Sequence, residues 1–267
     1  MTSLNELMSL KGRSTLISGA TGGLGTVIAN TIAELGSDLV LVDHPSADIH
    51  SLAEILKHRW GVAIQIRHCD LEQQGQRTEL VDWMKNSGKG LNVLVNNAAF
   101  VGTSKLQGWA VPFENQTLDA WRSALEVNLT AVFDLCQGLL PIMKFAEGAS
   151  IVNIASIYGQ YGPDWSLYEG TNLSNPAAYG ASKGGLIQLT RWLATTIAPN
   201  VRVNSISPGG IFRNQPQNFV QRYEAKTPLR RMATEDDFRG AVAYLASDLS
   251  QYVTGQNLAV DGGWGVW

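Results

Sequence analysis

Seven short apolar runs alternate with longer amphipathic stretches along this chain, and this alternation constrains the fold more than any other feature. The runs are nearly continuous and rich in β-branched residues, which is typical of strands buried on both faces of a parallel sheet. They lie at residues 14–18, 38–43, 62–70, 91–97, 150–156, 201–207 and 257–263. Helical patterns fill the intervals at 23–35, 47–59, 75–87, 117–146, 177–198 and 235–247. The alternation predicts a doubly wound α/β fold, with a seven-stranded, mainly parallel sheet and helices on both faces.

The whole chain, residues 1–267, is predicted to form a single domain. Its 267 residues are 45% apolar, which is enough to build a large core, and no Pro/Ser-rich linker or internal repeat divides it. Two segments, 157–178 and 208–233, interrupt the alternation and are rich in Gly, Pro, Asn and aromatic residues. Because ligands of such folds bind at the carboxyl ends of strands, both segments are predicted to be substrate loops.

Composition favours a small-molecule ligand over a macromolecular partner. The net charge of −3 argues against binding to nucleic acid or to an anionic membrane surface. No apolar run is long enough to cross a bilayer, and the N-terminus lacks the pattern of a secretory signal. Cys69 and Cys136 form no metal or redox spacing. We therefore expect a cytoplasmic protein with no metal site.

A glycine-rich turn follows the first predicted strand and opens the first helix. Its glycines are Gly19, Gly23 and Gly25, with Thr21 and Leu24 between them. Glycines allow the backbone to turn tightly and to approach a pyrophosphate, and the helix N-terminus offers free N–H groups. The alternative is a plain glycine-rich turn, but its place after the first strand favours a dinucleotide site.

Asp43 ends the second predicted strand, where a carboxylate can accept hydrogen bonds from the adenosine ribose hydroxyls. It would repel a 2′-phosphate, and no Lys or Arg lies in the glycine turn or directly after Asp43. NAD is therefore favoured over NADP. The alternative is that Asp43 only caps the next helix, a role that Ser46 or Asp48 could also fill.

Several motifs resemble those of the short-chain dehydrogenase/reductase family, and the resemblance covers essentially the full chain. Besides the glycine turn, they are "CDLE" (69–72), "NNAA" (96–99), "LEVNLTAVF" (125–133), "YGASK" (179–183), "SISPGGI" (205–211) and "VDGG" (260–263). The resemblance implies an extended Rossmann fold, a homotetramer or homodimer, and nicotinamide-dependent interconversion of alcohols and ketones. It also implies that Asp70 and Leu71 flank the adenine, that Asn97 lies along the cofactor, and that Pro208 and Ile211 lie at the nicotinamide.

Tyr179 and Lys183 lie four residues apart and therefore share one helix face. A free tyrosine, with a pKa of about 10, is a poor base at neutral pH, but a nearby ammonium favours the phenolate. Tyr179 is predicted to move the substrate hydroxyl proton, Lys183 to lower the pKa of Tyr179, and Ser156 to hold the substrate oxygen. Tyr179 and Lys183 are also predicted to contact the cofactor, Lys183 by a hydrogen bond to the nicotinamide ribose. The resemblance adds Asn128 as a residue that holds a water for proton relay. Alone, the Tyr–Lys pair could be an ordinary helix surface pair.

The stretch between Ser156 and Tyr179 is longer than in most family members, so an insertion is predicted beside the candidate catalytic residues. Its aromatic, carboxylate and amide side chains suit a polyhydroxylated ligand. The candidate pocket walls are Trp165, Tyr168, Glu169, Thr171 and Asn172. The alternative is a loop that packs against a neighbouring subunit. The aromatic tail with Trp264 and Trp267 is predicted either to pack at a subunit interface or to close the pocket of a neighbouring subunit.

Arg213 stands where the family often has a threonine that contacts the nicotinamide amide. It places a positive charge beside the predicted substrate cavity, and further basic residues follow at Arg222, Lys226, Arg230 and Arg231. Such groups could hold a phosphorylated or acidic substrate, or could form a solvated basic face. The stretches "IYG…PDWSLYEGT" (157–171) and "SISPGGIFRNQP" (205–216) also resemble the family branch linked to nonulosonate and flagellin-glycan synthesis, and this resemblance implies a sugar or sugar-phosphate substrate.

The sequence thus predicts an NAD(H)-dependent oxidoreductase that interconverts a secondary alcohol and a ketone on a sugar-like or sugar-phosphate substrate. One alternative is an NADPH-dependent reductase of a keto-acyl or other carbonyl substrate, which Asp43 opposes. Another is a non-catalytic dinucleotide-sensing protein, which the complete set of Ser156, Tyr179 and Lys183 opposes.

Overall fold

A computed structural model describes residues 1–102 and 104–267. Within these ranges, seven strands form one sheet in the order β3-β2-β1-β4-β5-β6-β7. The strands are β1 (Ser14–Ser18), β2 (Asp38–Asp43), β3 (Ile64–His68), β4 (Val93–Asn96), β5 (Ser150–Ile154), β6 (Arg202–Pro208) and β7 (Asn257–Val260). Every neighbouring pair is parallel. The predicted doubly wound α/β fold is confirmed, and the sheet is wholly rather than mainly parallel.

Helices follow most of the strands. They are α1 (Leu4–Met8), α2 (Gly23–Glu34), α3 (Ile49–Trp60), α4 (Gln74–Asn86), α5 (Leu118–Leu125), α6 (Ala131–Met143), α7 (Ala177–Thr196), α8 (Gln217–Lys226) and α9 (Arg239–Ala246). The strand order reverses between β1 and β4, since β1 pairs with β2 on one side and with β4 on the other. Crevices for ligands form at such a switch point, outside the carboxyl ends of the strands.

The sheet is buried on both faces, as the near-continuous apolar runs require. In β1, Ile17 packs with α2, α3 and α9, whereas its neighbour Leu16 packs with α4, α6 and α7. Leu41 and Val40 of β2 divide in the same way. Because successive side chains of a strand point to opposite faces, each β-branched run supplies both cores at once.

The structure differs from the sequence prediction in segment 208–233, where α8 occupies part of the predicted loop. Phe219 and Tyr223 lie four residues apart on α8, and both are buried. Pro216 stands directly before the helix, in an extended conformation. Apolar side chains at helical spacing behind a proline are a helix signal, although the surrounding residues are polar.

The long helix predicted at 117–146 contains a wider turn. Residues Glu126–Thr130 form a π-helical segment between α5 and α6, and Asn128 lies at its centre. Arg77 on α4 holds this segment: its guanidinium contacts Glu126 at 2.8 Å and Asp134 on α6 at 2.6 Å. Single π turns inside helices are frequent at functional sites.

The segment Leu118–Met143, which combines α5, the π turn and α6, is long and apolar enough to cross a membrane on length and composition alone. Leu135, Leu139 and Met143 on it are buried against the sheet. These side chains belong to the same core as Leu94 of β4, so the segment has the packing of a core helix in an α/β domain.

Candidate active site

A cavity of about 1010 Å³ opens at the carboxyl edge of the sheet, and it brings the predicted site residues together. All thirteen residues predicted to contact the cofactor line it, together with Ser156. They are Gly19, Thr21, Gly23, Leu24, Gly25, Asp43, Asp70, Leu71, Asn97, Tyr179, Lys183, Pro208 and Ile211. They meet because the carboxyl ends of parallel strands share one edge.

The glycine turn forms a cradle between β1 and α2. A side chain at Gly25 would overlap the carbonyl oxygen of Gly19, which itself has a φ of 64°. Asn97 braces the turn from β4, with its Nδ2 donating to the carbonyls of Ser18 at 3.2 Å and Gly19 at 2.8 Å. Helix α2 begins after Gly22 without a side-chain cap, so its first N–H groups are available to an anion. The turn therefore fits a dinucleotide pyrophosphate.

Asp43 lies at the end of β2 and lines the cavity beside this turn. Its Oδ2 accepts hydrogen bonds from the backbone N–H of Thr21 at 2.8 Å and from the Thr21 hydroxyl at 2.7 Å. Its Oδ1 accepts from the backbone N–H of His44 at 2.8 Å. These bonds fix the carboxylate at the end of the cavity beside the glycine turn, and its predicted contact with the adenosine ribose remains a prediction.

Ser156, Tyr179 and Lys183 converge at the other end of the cavity. Ser156 follows β5 and is buried, and Tyr179 lies in the first turn of α7. One turn later, the Lys183 ammonium lies 5.9 Å from the centre of the Tyr179 ring and donates to the Ile154 carbonyl at 2.7 Å. Tyr179 and Lys183 therefore share a helix face, and Ser156 meets them from the sheet.

The protonation chemistry differs from the sequence prediction. Burial raises the pKa of Tyr179, and the Ser156 hydroxyl and the charge of Arg213 oppose that shift only in part. Burial also lowers the pKa of Lys183 to about 7. Lys183 is not among the groups that lower the pKa of Tyr179 here, and its predicted effect on Tyr179 during catalysis remains a prediction. Both shifts have the same physical cause, because a site withdrawn from water disfavours the charged form of each group.

The Asn128 side chain connects two segments of the site by hydrogen bonds. Its Oδ1 accepts from the backbone N–H of Phe100 at 2.8 Å, and its Nδ2 donates to the Phe100 carbonyl at 3.1 Å. The same Nδ2 donates to the Ser182 hydroxyl at 3.0 Å. Asn128 thus joins the loop after β4 to the helix that carries Tyr179 and Lys183. Its predicted role in holding a relay water remains a prediction.

The insertion after Ser156 folds back onto its own chain. Asp164 pairs with Lys226 of α8, and the Arg222 guanidinium donates to the Glu169 carbonyl at 2.5 Å. Asn218 donates to the Gly170 carbonyl at 3.3 Å. The insertion and α8 therefore form one wall over the substrate end of the cavity.

Among the candidate pocket walls, Tyr168 and Asn172 line the cavity, whereas Trp165, Glu169 and Thr171 do not. The expectation is corrected for these three residues by the way the insertion folds. Trp165 is largely exposed and packs against the outer side of Tyr168, with ring centres 5.4 Å apart. Glu169 contacts α8 through its carbonyl, and the Thr171 hydroxyl donates to the Tyr168 carbonyl.

An aromatic cluster joins the insertion, α8 and the C-terminal tail. Trp264 is buried and stacks on Tyr223, with ring centres 6.0 Å apart, and Tyr223 stacks on Phe219. Tyr158 and Tyr168 share a hydrogen bond of 2.8 Å between their hydroxyls. The tail residue Trp264 thus packs inside its own chain, whereas Trp267 is mostly exposed.

The basic residues after β6 do not converge on the substrate end. Arg222 and Lys226 hold the insertion, Arg230 donates to the Ala225 carbonyl at 2.6 Å, and Arg231 pairs with Asp237. Arg213 does line the cavity, but its Nε donates to Glu235 at 3.0 Å. The predicted basic patch for an acidic substrate is therefore divided among separate intramolecular contacts.

Sequence reasoning missed several residues of the substrate end, including Tyr158, Asn175 and Tyr223, which all line the cavity. The Tyr223 hydroxyl accepts from the Gly210 N–H at 2.6 Å and so ties α8 to the loop after β6. The spacing of Phe219 and Tyr223 was an available signal for an amphipathic helix. Tyr158 had no such signal, because its position depends on the path of the insertion.

Known proteins resemble this chain along nearly its full length. A family model described as Enoyl-(Acyl carrier protein) reductase matches residues 19–265. Sorbose reductase sou1 of Schizosaccharomyces pombe is 30% identical over 269 residues, covering 98% of this chain and 99% of that protein. The similarity therefore extends beyond the glycine turn and the catalytic motif.

Two solved structures share the fold over almost every residue. A gluconate 5-dehydrogenase from Burkholderia cenocepacia, in complex with NADP and tartrate, has a TM-score of 0.87 at 26% identity and covers 99% of this chain and 100% of its own. A short chain dehydrogenase from Leptospira borgpetersenii with bound NAD+ has a TM-score of 0.83 at 32% identity and covers 99% and 96%. Relatives of this chain thus include complexes with either dinucleotide.

The parallel sheet, the glycine cradle and the meeting of Ser156, Tyr179 and Lys183 define an oxidoreductase that binds a nicotinamide dinucleotide. The chain belongs to the short-chain dehydrogenase/reductase family. Its reaction is accordingly the oxidation of an alcohol or the reduction of a carbonyl group.

Proposed function

We propose that this protein is an NAD(H)-dependent dehydrogenase that interconverts a secondary alcohol and a ketone on an uncharged, sugar-like substrate. The observation that carries the proposal is the arrangement of one cavity. Asp43 and the glycine cradle lie at one end, and Ser156, Tyr179 and Lys183 lie at the other.

The chain's own residues divide the work on the substrate oxygen. When bound, the nicotinamide accepts or supplies the hydride. In alcohol oxidation Tyr179 takes the hydroxyl proton, and in ketone reduction it returns that proton to the carbonyl oxygen. Ser156 donates a hydrogen bond to the same oxygen as its charge changes. The raised pKa of Tyr179 makes the neutral phenol its resting form, which suits proton donation to a ketone.

The substrate end favours a neutral, hydroxylated ligand. Phenolic and amide groups line it together with apolar rings and a thioether: Phe100, Tyr158, Tyr168, Asn172, Asn175, Gln215, Phe219, Tyr223 and Met232. Among the described lining residues, the acidic and basic side chains are Asp43, His44, Asp70, Lys183 and Arg213. The first three belong to the proposed adenosine end, Arg213 lies against Gly23 of the glycine turn, and Lys183 donates to the Ile154 carbonyl. A phosphorylated sugar would therefore lack a free cation dedicated to its phosphate.

The preference for NAD rests on Asp43. A carboxylate held by Thr21 and His44 at the end of β2 would repel the 2′-phosphate of NADP. We expect NADH to bind more tightly than NADPH, as measured by fluorescence titration. Asp43→Ser should weaken NADH binding and improve NADPH binding. Tighter NADPH binding by the wild type would contradict the argument and favour the reductase alternative.

Turnover tests the chemistry and the substrate class together. NADH formation at 340 nm should be followed over pairs of neutral sugars or polyols and their phosphate esters. We expect activity on neutral members and its near-complete loss in Tyr179→Phe, which retains the ring and removes the hydroxyl. Activity that survives this change would refute the role of Tyr179. Dinucleotide binding without turnover on any alcohol or ketone would favour the sensing alternative.

Self-association remains a prediction. Helices α5, α6 and α7 carry large exposed apolar side chains, including Leu118, Trp121, Phe133 and Trp192. Such side chains mark interaction surfaces when they are contiguous. Sedimentation of the wild type should give a dimer or tetramer, and Trp192→Glu should shift it toward monomer. A monomeric wild type would contradict this prediction.

A further inference from the structure

Arg213 is held in place by a short pairing that follows the sheet. The Phe212 N–H donates to the Ala233 carbonyl at 2.8 Å, and the Ala233 N–H donates to the Gly210 carbonyl at 2.9 Å. The chain then turns at Asn214, whose φ is 57°, while the Arg213 N–H donates to the Gln215 side chain at 2.7 Å. This local structure fixes the backbone from which the Arg213 side chain extends.

The same pairing brings Glu235 beside Arg213. Thr234 and Asp237 form a capping box at the start of the turn Glu235–Phe238, so the position of Glu235 is fixed by local hydrogen bonds. The Arg213 Nε then donates to Glu235 Oε1 at 3.0 Å. Their side chains are 43% and 27% exposed, so both remain accessible to solvent, and Arg213 also lines the cavity.

This ion pair lies against the glycine turn. A side-chain Cβ built at Gly23 would lie 3.2 Å from Arg213 Nη2 and 2.9 Å from Glu235 Oε1. Gly23 is the first residue of α2, whose N–H groups face the cavity without a side-chain cap. An arginine and a helix N-terminus therefore face the same space, and both favour an anion there.

We propose that Arg213 is a cofactor-binding residue, which exchanges its bond with Glu235 for bonds to the pyrophosphate of the dinucleotide. The inference rests on the proposed dinucleotide site and gives Arg213 a different role from the substrate contact that the sequence predicted. Glu235 holds the guanidinium beside the cradle, and its own negative charge opposes the arriving pyrophosphate. The two residues should therefore affect binding in opposite directions.

Equilibrium binding of ADP-ribose tests this without turnover, because ADP-ribose contains the pyrophosphate but no nicotinamide. By calorimetry, Arg213→Gln should weaken ADP-ribose binding by about 10- to 100-fold, the usual effect of losing a charge-assisted hydrogen bond. Glu235→Gln should strengthen it. Adenosine, which has no phosphate, should bind Arg213→Gln and the wild type equally. Arg122→Gln is the matched control, since Arg122 pairs with Asp119 on the exposed surface of α5 outside the cavity, and it should bind ADP-ribose like the wild type.

The outcomes separate the inference from its alternatives. Unchanged ADP-ribose binding in Arg213→Gln would overturn it and return Arg213 to the substrate. Equal losses in Arg213→Gln and Glu235→Gln would also overturn it, because a merely structural ion pair loses its function when either partner is removed. Failure of the wild type to bind both ADP-ribose and NADH would instead refute the proposed dinucleotide site itself.

Discussion

Replacing Lys183 with methionine is expected to raise the free energy of unfolding at pH 7 while removing a group that we propose takes part in catalysis. Lys183 is 2% exposed, and burial lowers its pKa from 10.5 to about 7. At about 1.4 kcal/mol per pKa unit, keeping the buried ammonium charged costs on the order of 5 kcal/mol. The variant also loses the 2.7 Å bond to the Ile154 carbonyl, and an unsatisfied carbonyl costs roughly 1–3 kcal/mol. The ionisation cost is larger, so we expect a net gain of about 2–4 kcal/mol.

This gain should depend on pH with a definite sign. The unfolded chain keeps Lys183 protonated up to a pKa of 10.5, whereas the folded protein releases the proton near pH 7. Between these values the unfolded state binds more protons, so the stability of the wild type rises with pH. Below pH 7 both states are protonated and the full cost is present. The stability gap between Lys183→Met and the wild type should therefore be largest at pH 7 and below, and should shrink toward pH 10.5.

Urea unfolding, followed by tryptophan fluorescence at fixed protein concentration, measures this gap at a series of pH values. Lys57→Met is the matched control, because Lys57 is exposed on α3, and it should change stability little at any pH. A Lys183→Met variant that is less stable than the wild type at pH 7 would refute the reasoning. So would a stability gap that does not change with pH.

Three further predictions follow from the site and its supports. Alcohol oxidation should accelerate as pH rises, because its base is the Tyr179 phenolate and burial raises the pKa of Tyr179. Ketone reduction uses the neutral phenol and should not accelerate. Measurement of kcat/KM as a function of pH in each direction checks both expectations. Arg77→Met should lower the free energy of unfolding by about 2–4 kcal/mol in urea, since Glu126 and Asp134 lose their shared cation. Asp164→Asn should raise KM for the alcohol in steady-state assays without changing NADH affinity, because it loosens the insertion from α8. The first prediction is contradicted if alcohol oxidation slows as pH rises. The second is contradicted if Arg77→Met has unchanged stability, and the third if Asp164→Asn has an unchanged KM.

The cofactor half of the site could be predicted because its geometry follows from the sheet. Gly19, Asp43 and Asn97 each stand at or directly after the end of a parallel strand, and parallel strands end at one edge. Once the strands are assigned, these residues must lie close together. The proximity of Tyr179 and Lys183 could also be predicted, because residues four apart lie on the same face of a helix.

The substrate half could not be predicted in this way because it depends on packing between distant segments. The position of Tyr168 follows from the contact of its ring with Phe219, which no local pattern encodes. The direction of Arg213 depends on the pairing of Ile211 with Ala233. The raised pKa of Tyr179 likewise has its cause in burial, which is a property of the assembled fold and not of residue spacing.

The contacts between the insertion, α8 and Trp264 have a consequence for protein engineering. These three segments are far apart in sequence, but their aromatic rings stack into one wall. Grafting residues 157–176 alone from another dehydrogenase would place new side chains against α8 and Trp264, whose rings would no longer fit them. Transfer of a new specificity should therefore require the insertion, α8 and the tail to be exchanged as a single module.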